Sequence, residues 1–279
     1  MQDEVRLSVP GDEPGLMELW KRVFGDEDQV IEGFFEKIYA PGMASVYVRQ
    51  GRIVSAAYVF RLGELVSDGR WTPCRCIYAY ATDPEHRGRG YGRRVLEDAC
   101  GRATTSGATV ICPVSPSLFG TYARRGFGTY FSAVERHCTD VGSALSGSVS
   151  RVTVRGYAAL REELLHGRVH IDFDIRALEY QEQLCRDSGG GLYYVVSEGV
   201  RCCAAVELNG EEALIRELIV PSGSQYNAAA LVARAVRREK FTYRAPERQG
   251  DESAPFAMLF GFSDPVRPTP APWLGFSFE

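Results

Sequence analysis

The sequence predicts a mixed α/β protein in which one arrangement of strands and helices occurs twice along 279 residues. Alternating apolar positions, typical of strands, are interspersed with apolar positions spaced at three and four, typical of helices. In the N-terminal half the predicted order is strand, helix, helix, three antiparallel strands, helix, strand, which indicates a mixed α/β domain. A hairpin of this half has a counterpart near residue 199, which indicates a duplicated unit.

Composition narrows the class of protein. With 45% hydrophobic and 24% charged residues the chain is globular, and a net charge of −4 gives no support for a nucleic-acid partner. Eight cysteines are too scattered for a disulfide scaffold, and Cys74-x-Cys76 and Cys202-Cys203 lack the spacing of a zinc site, so we expect no metal. The N-terminus has no apolar signal region and no run is long enough for a membrane span, so we expect a cytoplasmic protein without a membrane partner.

The first elements follow from start and stop signals. Residues 5–9 alternate like a strand, Asp12 is a candidate N-cap and Pro14 suits a first helical turn. A second helix is predicted from Asp28 to the stop at Pro41-Gly42. The many aromatic residues of the two helices are interpreted as core or as one wall of a substrate groove.

Strands are predicted at residues 44–49 and 52–62, joined at Gln50-Gly51, then at 71–81 and 109–114. The stretch after residue 81 contains a strand end, a basic turn and a helix start in succession. The strand must end before Asp83-Pro84, and apolar positions at 91, 95, 96, 99, 100 and 103 predict a helix starting at the glycines. The basic turn between them consists of Arg87, Gly88, Arg89, Gly90, Tyr91 and Gly92.

A helix start rich in glycine and arginine suits a pyrophosphate, because it presents unpaired N–H groups beside positive charge. Arg93 and Arg94 add to that charge. The turn is not a P-loop, since no Gly-Lys-Ser/Thr follows. It is not a dinucleotide fingerprint either, since Arg93 stands in place of the third glycine.

Arg-x-x-Gly-x-Gly after a strand ending in Ala81-Thr82-x-Pro84 resembles the acetyl-CoA-binding motif of the GNAT acetyltransferase superfamily. The resemblance implies acetyl-CoA as cosubstrate. It implies that the turn holds the CoA pyrophosphate through Arg87, Gly88, Arg89, Gly90, Tyr91 and Gly92, and that the strand residues Ala79, Tyr80 and Ala81 lie along the thioester.

Residues 115–127 predict a short helix ended by Gly126. Its Tyr-x-x-x-Gly-Phe is similar to the second GNAT signature, which implies that Tyr122 reprotonates the CoA thiolate. A serine five residues before the tyrosine, here Ser117, together with an arginine between the tyrosine and Gly126, resembles the pattern of the enhanced intracellular survival family of acetyltransferases. Ser117 is therefore assigned to the CoA site. In that family the terminal carboxylate helps to deprotonate the amine, a role open to Glu279. Packing of the apolar tail, residues 268–279, is the alternative interpretation, on the body of the protein or on another subunit of a homo-oligomer.

The second half is predicted to repeat the first without its chemistry. Residues 193–207 align with residues 45–59, but residues 222–227 contain no arginine and one glycine. We therefore predict tandem GNAT folds, each a mostly antiparallel twisted sheet flanked by helices, with a catalytic domain at 1–140 and a degenerate domain at 148–279. Residues 127–138 are read as a hairpin, 141–150 as a linker and 151–154 as a strand. The chain is too short for the sterol-carrier-like domain of the resembling family.

The predicted activity is acetyl transfer to a primary amine, on a small molecule, with Tyr122 as the acid. The general base is left open among Tyr80, Glu135, the terminal carboxylate and water. Two alternatives from other classes are a non-catalytic acyl-CoA sensor or scaffold, and a hydrolase using Cys112 with His86 or His137.

Overall fold

The computed structural model describes residues 3–105, 107–142, 145–261 and 268–278. Its backbone divides into two compact units that are interleaved along the chain. The first unit comprises Met1–Gly63, Thr72–Gly128 and Met258–Ser263, and the second comprises Glu64–Trp71, Thr129–Ala257 and Asp264–Glu279. The chain therefore passes between the two units more than once. Residues 64–71 and 129–257 belong to the second unit, and residues 258–263 belong to the first.

The first unit contains a sheet flanked by helices on both sides. Its elements are β1 (Glu4–Leu7), α1 (Glu13–Phe24), α2 (Asp28–Lys37), β2 (Ala44–Arg49), β3 (Arg52–Ser67), β4 (Arg70–Thr82), a 3-10 turn (Pro84–His86), α3 (Tyr91–Ala103), β5 (Ala108–Ile111) and α4 (Pro116–Ala123). The strand order is β1-β2-β3-β4-β5, and the end of a thirteenth strand pairs with β5. Strand β5 runs parallel to β4 and antiparallel to the thirteenth strand.

Two helix boundaries of this unit differ from the sequence prediction. Asp12 does not cap α1 with its side chain. It forms an ion pair with Arg6 at 2.6 Å and accepts a hydrogen bond from the Val9 N–H at 2.8 Å, so its carboxylate closes the turn before the helix. Helix α2 ends at Lys37, before the Pro41-Gly42 stop signal.

The core of the first unit lies on both faces of the sheet. On one face α3 buries its apolar stripe, as the periodicity predicts; its fully buried members are Val95, Leu96, Ala99 and Ala103. On the other face α1 and α2 contribute Trp20 and Phe34, which pack with Tyr58 of β3 at ring-centroid distances of 5.0 to 5.5 Å. Trp20 and Phe34 are thus buried, as the core interpretation of the helix aromatics predicts.

The second unit repeats this order of elements with a strand added between its first two helices, and one further strand precedes and one follows the repeated elements. Its elements are β6 (Phe127–Cys138), β7 (Gly147–Arg151), α5 (Val154–Leu164), β8 (His170–Phe173), α6 (Ile175–Asp187), β9 (Gly191–Ser197), β10 (Val200–Asn209), β11 (Glu212–Ile219), α7 (Gln225–Ala235), β12 (Lys240–Ala245) and β13 (Ala254–Phe260). The sheet runs β6-β12-β11-β10-β9-β7, with β11 and β12 parallel.

Three predictions around the unit boundary are wrong. Residues 127–138 form one strand of 12 residues, not a hairpin. Residues 147–151 of the predicted linker and strand form β7, which pairs antiparallel with β9, so that α5 begins already at Val154; residues 143–144 lie outside the described part of the chain. Strand β5 ends at Ile111, three residues early, because the chain turns at Pro113.

The internal repeat is confirmed by backbone geometry. Gln50 and Gly51 have φ of 50° and 81° at the β2–β3 turn, and Glu198 and Gly199 have φ of 52° and 79° at the β9–β10 turn. Two consecutive left-handed residues define the same hairpin turn in both units. The helices correspond as well, since Leu16, Leu19 and Trp20 of α1 match the buried Tyr157, Leu160 and Arg161 of α5 in spacing.

The C-terminal tail packs into the second unit, as the sequence predicts for its apolar residues. The Trp273 N–H donates to the Val169 carbonyl at 2.8 Å, and the Ile171 N–H donates to the Trp273 carbonyl at 3.2 Å. Phe276 stacks on Phe173 with ring centroids 4.4 Å apart. Glu279, the predicted terminal carboxylate, lies outside the described residues.

A buried ion pair holds this tail. Glu217 of β11 is fully buried and accepts hydrogen bonds from Arg161 Nε at 3.0 Å, Tyr157 Oη at 2.5 Å and Trp273 Nε1 at 2.7 Å. Arg161 also donates to the Leu274 carbonyl at 3.0 Å. Both charges are paired and hydrogen-bonded, which is the condition under which a buried ion pair is tolerated.

Candidate functional site

The site begins where β4 and β5 separate. Their parallel pairing ends at Ile77 opposite Ile111, while β4 continues to Thr82. Ala79, just beyond the last pair, has φ of 45°, a left-handed conformation that costs a non-glycine residue about 1 kcal/mol. Ala79, Tyr80 and Ala81 therefore leave their main-chain groups unpaired on the β5 side, where a ligand can pair with them.

The loop after β4 leads into the N-terminus of α3. Gly88 and Gly90 have φ of 74° and 82°, and a Cβ added at either would meet no atom within 4 Å. Glycine is thus required by backbone conformation. Gly90 is the N-cap and supplies no side-chain cap, and the Arg94 N–H donates to the Gly90 carbonyl at 3.2 Å. The N–H groups of the first turn remain available to an anion.

The arginines of the loop divide into two pairs. Arg93 bonds to Glu97 at 2.7 Å and Arg94 bonds to the Tyr47 hydroxyl at 3.3 Å, so both side chains, although exposed, already have side-chain partners. Arg87 and Arg89 are exposed, and Arg87 Nε donates to the Thr82 carbonyl at 3.2 Å. Arg87 and Arg89 are consequently the better placed of the four to pair with an anion.

Asp83 fixes the start of the loop. It is 3% exposed, accepts a hydrogen bond from the Glu85 N–H at 3.0 Å and pairs with Arg22 of α1 at 3.1 Å. Burial acts to raise the pKa of Asp83, but the Glu85 hydrogen bond and the positive charges of Arg22 and His86 outweigh it and lower that pKa. Asp83 is therefore an ionised residue that ties the loop to α1.

Gly92 and Tyr91 have packing functions in addition to their predicted place in the loop. A Cβ on Gly92 would lie 2.5 Å from both the Tyr80 hydroxyl and Thr82 Oγ1, so Gly92 makes room for Tyr80. The Tyr91 ring stacks on Tyr47 with centroids 4.2 Å apart. Tyr91 can thus contribute only its main chain to the loop.

Tyr122 lies on α4 and is 4% exposed. Burial, and then the neighbouring Tyr80 and Cys112, raise the pKa of Tyr122 far above its ordinary value. The hydroxyl is consequently protonated at any physiological pH and can act as an acid. The structure brings Tyr122 together with Tyr80, whereas the predicted Ser117 is exposed and bonds to Ser115 at 3.0 Å.

Arg125 is a residue to which the sequence analysis assigned no function. It follows α4, donates to the Thr121 carbonyl at 2.7 Å and has a buried Nε without a partner among the described residues. Its charge acts to lower the pKa of both Tyr80 and Tyr122, so it stabilises negative charge on either ring. The only signal in the sequence was an arginine between the tyrosine and Gly126.

The other residues considered for catalysis have separate environments. Glu135 of β6 accepts from Arg244 at 3.1 Å, and His137 bonds to the Thr242 hydroxyl at 2.7 Å. His86 lies 3.7 Å from Asp83. These contacts commit Glu135 and His137 to the sheet of the second unit.

The corresponding helix start in the second unit carries a side-chain cap. Ser224 caps α7 by accepting from the Asn227 N–H at 3.1 Å. Arg248 donates to the Gly223 carbonyl at 2.7 Å and to the Val220 carbonyl. One first-turn donor of α7 is therefore used by Ser224, and the Arg248 side chain bonds to the turn that precedes this helix.

Within the described ranges, no group of three or more histidine, cysteine or acidic side chains could hold a metal ion. None of the helices in those ranges is long and apolar enough to cross a membrane.

Residues 4–130 match the model of the acetyltransferase (GNAT) domain family. No curated protein matches the sequence.

Solved structures show the fold of nearly the whole chain. A probable N-acyltransferase from Enterococcus faecalis V583 is 12% identical, with a TM-score of 0.67 over 93% of this chain and 72% of that one. Eis1 from Mycobacterium abscessus is 12% identical, with a TM-score of 0.64 over 92% and 73%. A tandem GNAT protein from the clavulanic acid biosynthesis pathway is 14% identical, with a TM-score of 0.55 over 94% and 100%. At these identities the likeness shows the fold alone, and that fold is the predicted tandem one.

Proposed function

We propose that this chain, whose residues 4–130 match the acetyltransferase (GNAT) domain family, transfers an acetyl group from acetyl-CoA to a primary amine of a small molecule. The observation that carries this proposal is the combination of an uncapped, glycine-started helix at α3 with the opening between β4 and β5. The first suits a pyrophosphate and the second suits an extended amide chain, and CoA contains both.

The residues present fit acetyl-CoA. Main-chain N–H groups at the start of α3, with Arg87 and Arg89, would hold the pyrophosphate, and the unpaired main chain of Ala79, Tyr80 and Ala81 would hold the pantetheine arm and the thioester. Acetyl-CoA supplies the acyl group on a thiolate leaving group. Ser117, on the exposed first turn of α4, stays in the proposal as a CoA contact.

Tyr122 is the proposed general acid. In the reaction the C–S bond breaks as the C–N bond forms, the amine loses one proton and the departing thiolate gains one. The Tyr122 hydroxyl can supply the thiolate proton, because its raised pKa keeps it protonated. The nearby Arg125 charge limits the cost of leaving a phenolate until a proton returns.

The second unit is proposed to be structural, so that a catalytic domain at 1–140 is accompanied by a degenerate domain at 148–279. The self-capped start of α7 supports this division. We place the enzyme in the cytoplasm, where acetyl-CoA and reduced thiols coexist, and a homo-oligomer is compatible with it.

Release of CoA thiol in a single turnover, with a panel of amines, tests the proposal. Stoichiometric thiol release that depends on one class of amine is expected. An acyl-CoA sensor would bind acetyl-CoA with similar affinity and release no thiol with any amine, which would overturn the enzymatic assignment.

A further inference from the structure

Eight aromatic residues form one cluster between α1, α2 and the sheet of the first unit. We call it the aromatic cluster; its members are Trp20, Phe24, Phe34, Phe35, Tyr39, Tyr58, Phe60 and Tyr78, and neighbouring ring centroids lie 4.7 to 6.4 Å apart. Tyr78 directly precedes Ala79, the left-handed residue where β4 leaves β5. The aromatic cluster therefore reaches the site at which the thioester is proposed to lie.

Two hydroxyl groups inside the aromatic cluster, those of Tyr39 and Tyr58, are buried without a hydrogen-bond partner among the described residues, and Tyr58 is the more deeply buried of the two. Tyr58 is 2% exposed, and its buried hydroxyl makes no hydrogen bond to any described residue. An unsatisfied buried hydroxyl is unfavourable, and phenylalanine would fill the same space without that cost. A tyrosine at this position is explained if a ligand pairs with the hydroxyl.

In the second unit, the region beside α5 that corresponds to the aromatic cluster is filled by the chain's own residues. Arg161 stands where α1 has Trp20 in helical spacing, and Glu217 directly follows Arg216, the extra residue at the bulge of β11. There the chain's own tail inserts Trp273, whose indole N–H donates to Glu217 at 2.7 Å, and Tyr157 Oη donates to Glu217 at 2.5 Å. A flat aromatic group with a hydrogen-bonding atom thus fits between this helix and this bulge.

Several members of the aromatic cluster are less buried than Tyr58. Phe24 is 41% exposed, and Phe35 and Tyr78 are half-buried. Rings of this kind attract both apolar groups and an ammonium group, by burial and by cation–π interaction. The aromatic cluster itself contains no carboxylate that could pair with a polycation. The adjacent Asp26 carboxylate already accepts a hydrogen bond from Trp20 Nε1 at 2.7 Å.

We propose that the aromatic cluster is the acceptor-binding wall, that Tyr58 is its specificity-determining hydroxyl, and that the acceptor is an arylalkylamine bearing a polar ring substituent. This deepens the proposed function and rests on it. The amine of the acceptor would point to Ala79. The ring of the acceptor would displace the half-buried side chains of the aromatic cluster, and the polar substituent of that ring would pair with the Tyr58 hydroxyl.

The test compares Tyr58→Phe with the wild type, using tyramine and phenethylamine as probes. We expect the KM for tyramine to rise roughly 3- to 10-fold, the worth of one neutral hydrogen bond, with little change for phenethylamine and in acetyl-CoA affinity. The melting temperature should rise by about 2–4 °C, because an unpaired hydroxyl is removed. Tyr157→Phe is the matched control: it is equally buried but bonded to Glu217, so its melting temperature should fall.

The outcomes separate this inference from the proposed function. A wild type that acetylates polyamines or aminoglycosides but neither probe would uphold acetyl transfer and overturn the aromatic acceptor. If no amine releases thiol, binding of tyramine measured by ligand-detected NMR still decides: weaker binding to Tyr58→Phe than to the wild type supports the site. Equal tyramine KM and binding in both proteins would overturn it, whatever the melting temperatures are.

Discussion

Tyr122 combines burial with the nearby positive charge of Arg125, and this combination suits an acid whose anion must be tolerated briefly. Tyr122→Phe keeps the ring and its edge-on contact with Phe127 at 6.3 Å. We expect turnover to fall by roughly 10²- to 10⁴-fold, while acetyl-CoA affinity and melting temperature barely change. Turnover with a confirmed amine measures this, and near-normal turnover would leave Tyr122 with a packing function only.

Gly90 is required by its left-handed backbone conformation and not by lack of space for a side chain. Its added Cβ would meet nothing within 4 Å, but its φ of 82° is unfavourable for any β-branched residue. Gly90→Val should therefore distort the helix start and weaken acetyl-CoA binding by at least about 10-fold, equivalent to roughly 1.4 kcal/mol.

Calorimetric titration with acetyl-CoA checks this prediction. Gly101→Ala is the matched control, because Gly101 lies in the same helix, has equally open surroundings and has no left-handed φ. Unchanged affinity in Gly90→Val would mean that the start of α3 does not contact the ligand.

Asp172 of β8 gives a pH dependence with a defined sign. Burial, and then the charge of Glu162, raise the pKa of Asp172 to about 6 despite the opposing effect of Arg161 and His170. A raised carboxyl pKa disfavours the ionised folded state, so Asp172 destabilises the protein above pH 6 and ceases to do so as the pH falls toward the ordinary pKa near ~3.9.

Asp172→Asn should consequently stabilise the protein at pH 7.5, by about 1 kcal/mol once solvent screening of this half-exposed group is allowed for. The gain should shrink between pH 6 and pH 4. Urea unfolding of both proteins at pH 7.5 and pH 4.5 measures it, and a gain that is equal at the two pH values would contradict the assignment of the pKa to Asp172.

At the scale of elements, α3 and α7 are the same helix of the repeat with opposite uses of their N-termini. Gly90 supplies no side-chain cap to α3, whereas Ser224 caps α7 and Arg248 bonds to the carbonyls of the turn before that helix. We expect titration to saturate at one acetyl-CoA per chain. A stoichiometry of two would contradict the structural role proposed for the second unit.

The sequence predicted elements well where signals are local. The β2 and α3 boundaries, the Gln50-Gly51 turn and its counterpart at Gly199 all follow from periodicity and turn chemistry. It failed where partners are distant: β7 reads as a polar linker because its residues are small and mostly exposed, and only pairing with β9 makes it a strand.

The candidate site shows the same division. The position of residues 87–92 at the start of α3 and the position of Tyr122 on the short helix α4 were predictable from local signals, whereas their functions are proposals. Arg125, the Arg22–Asp83 ion pair and the unpaired Tyr58 hydroxyl were not predictable, since each depends on contacts between residues that are distant in sequence or on burial.

At the scale of the whole molecule, the first unit is completed by residues from the far end of the chain. Met258 and Leu259 of β13 pair with Ile111 and Val110 of β5, and Met258 is 2% exposed within the core that also contains Tyr122. The wall of the opening next to β4 therefore depends on residues that follow almost the entire second unit.

This arrangement has a consequence for synthesis on the ribosome. When Gly128 emerges, the first unit still lacks its last strand, and residues 129–257 must be made before that strand appears. At roughly 5–20 residues per second, the edge of β5 stays uncovered for on the order of ten seconds. The nascent acetyltransferase domain thus acquires its complete core, and with it the surroundings of Tyr122, only when nearly all of the protein has been made.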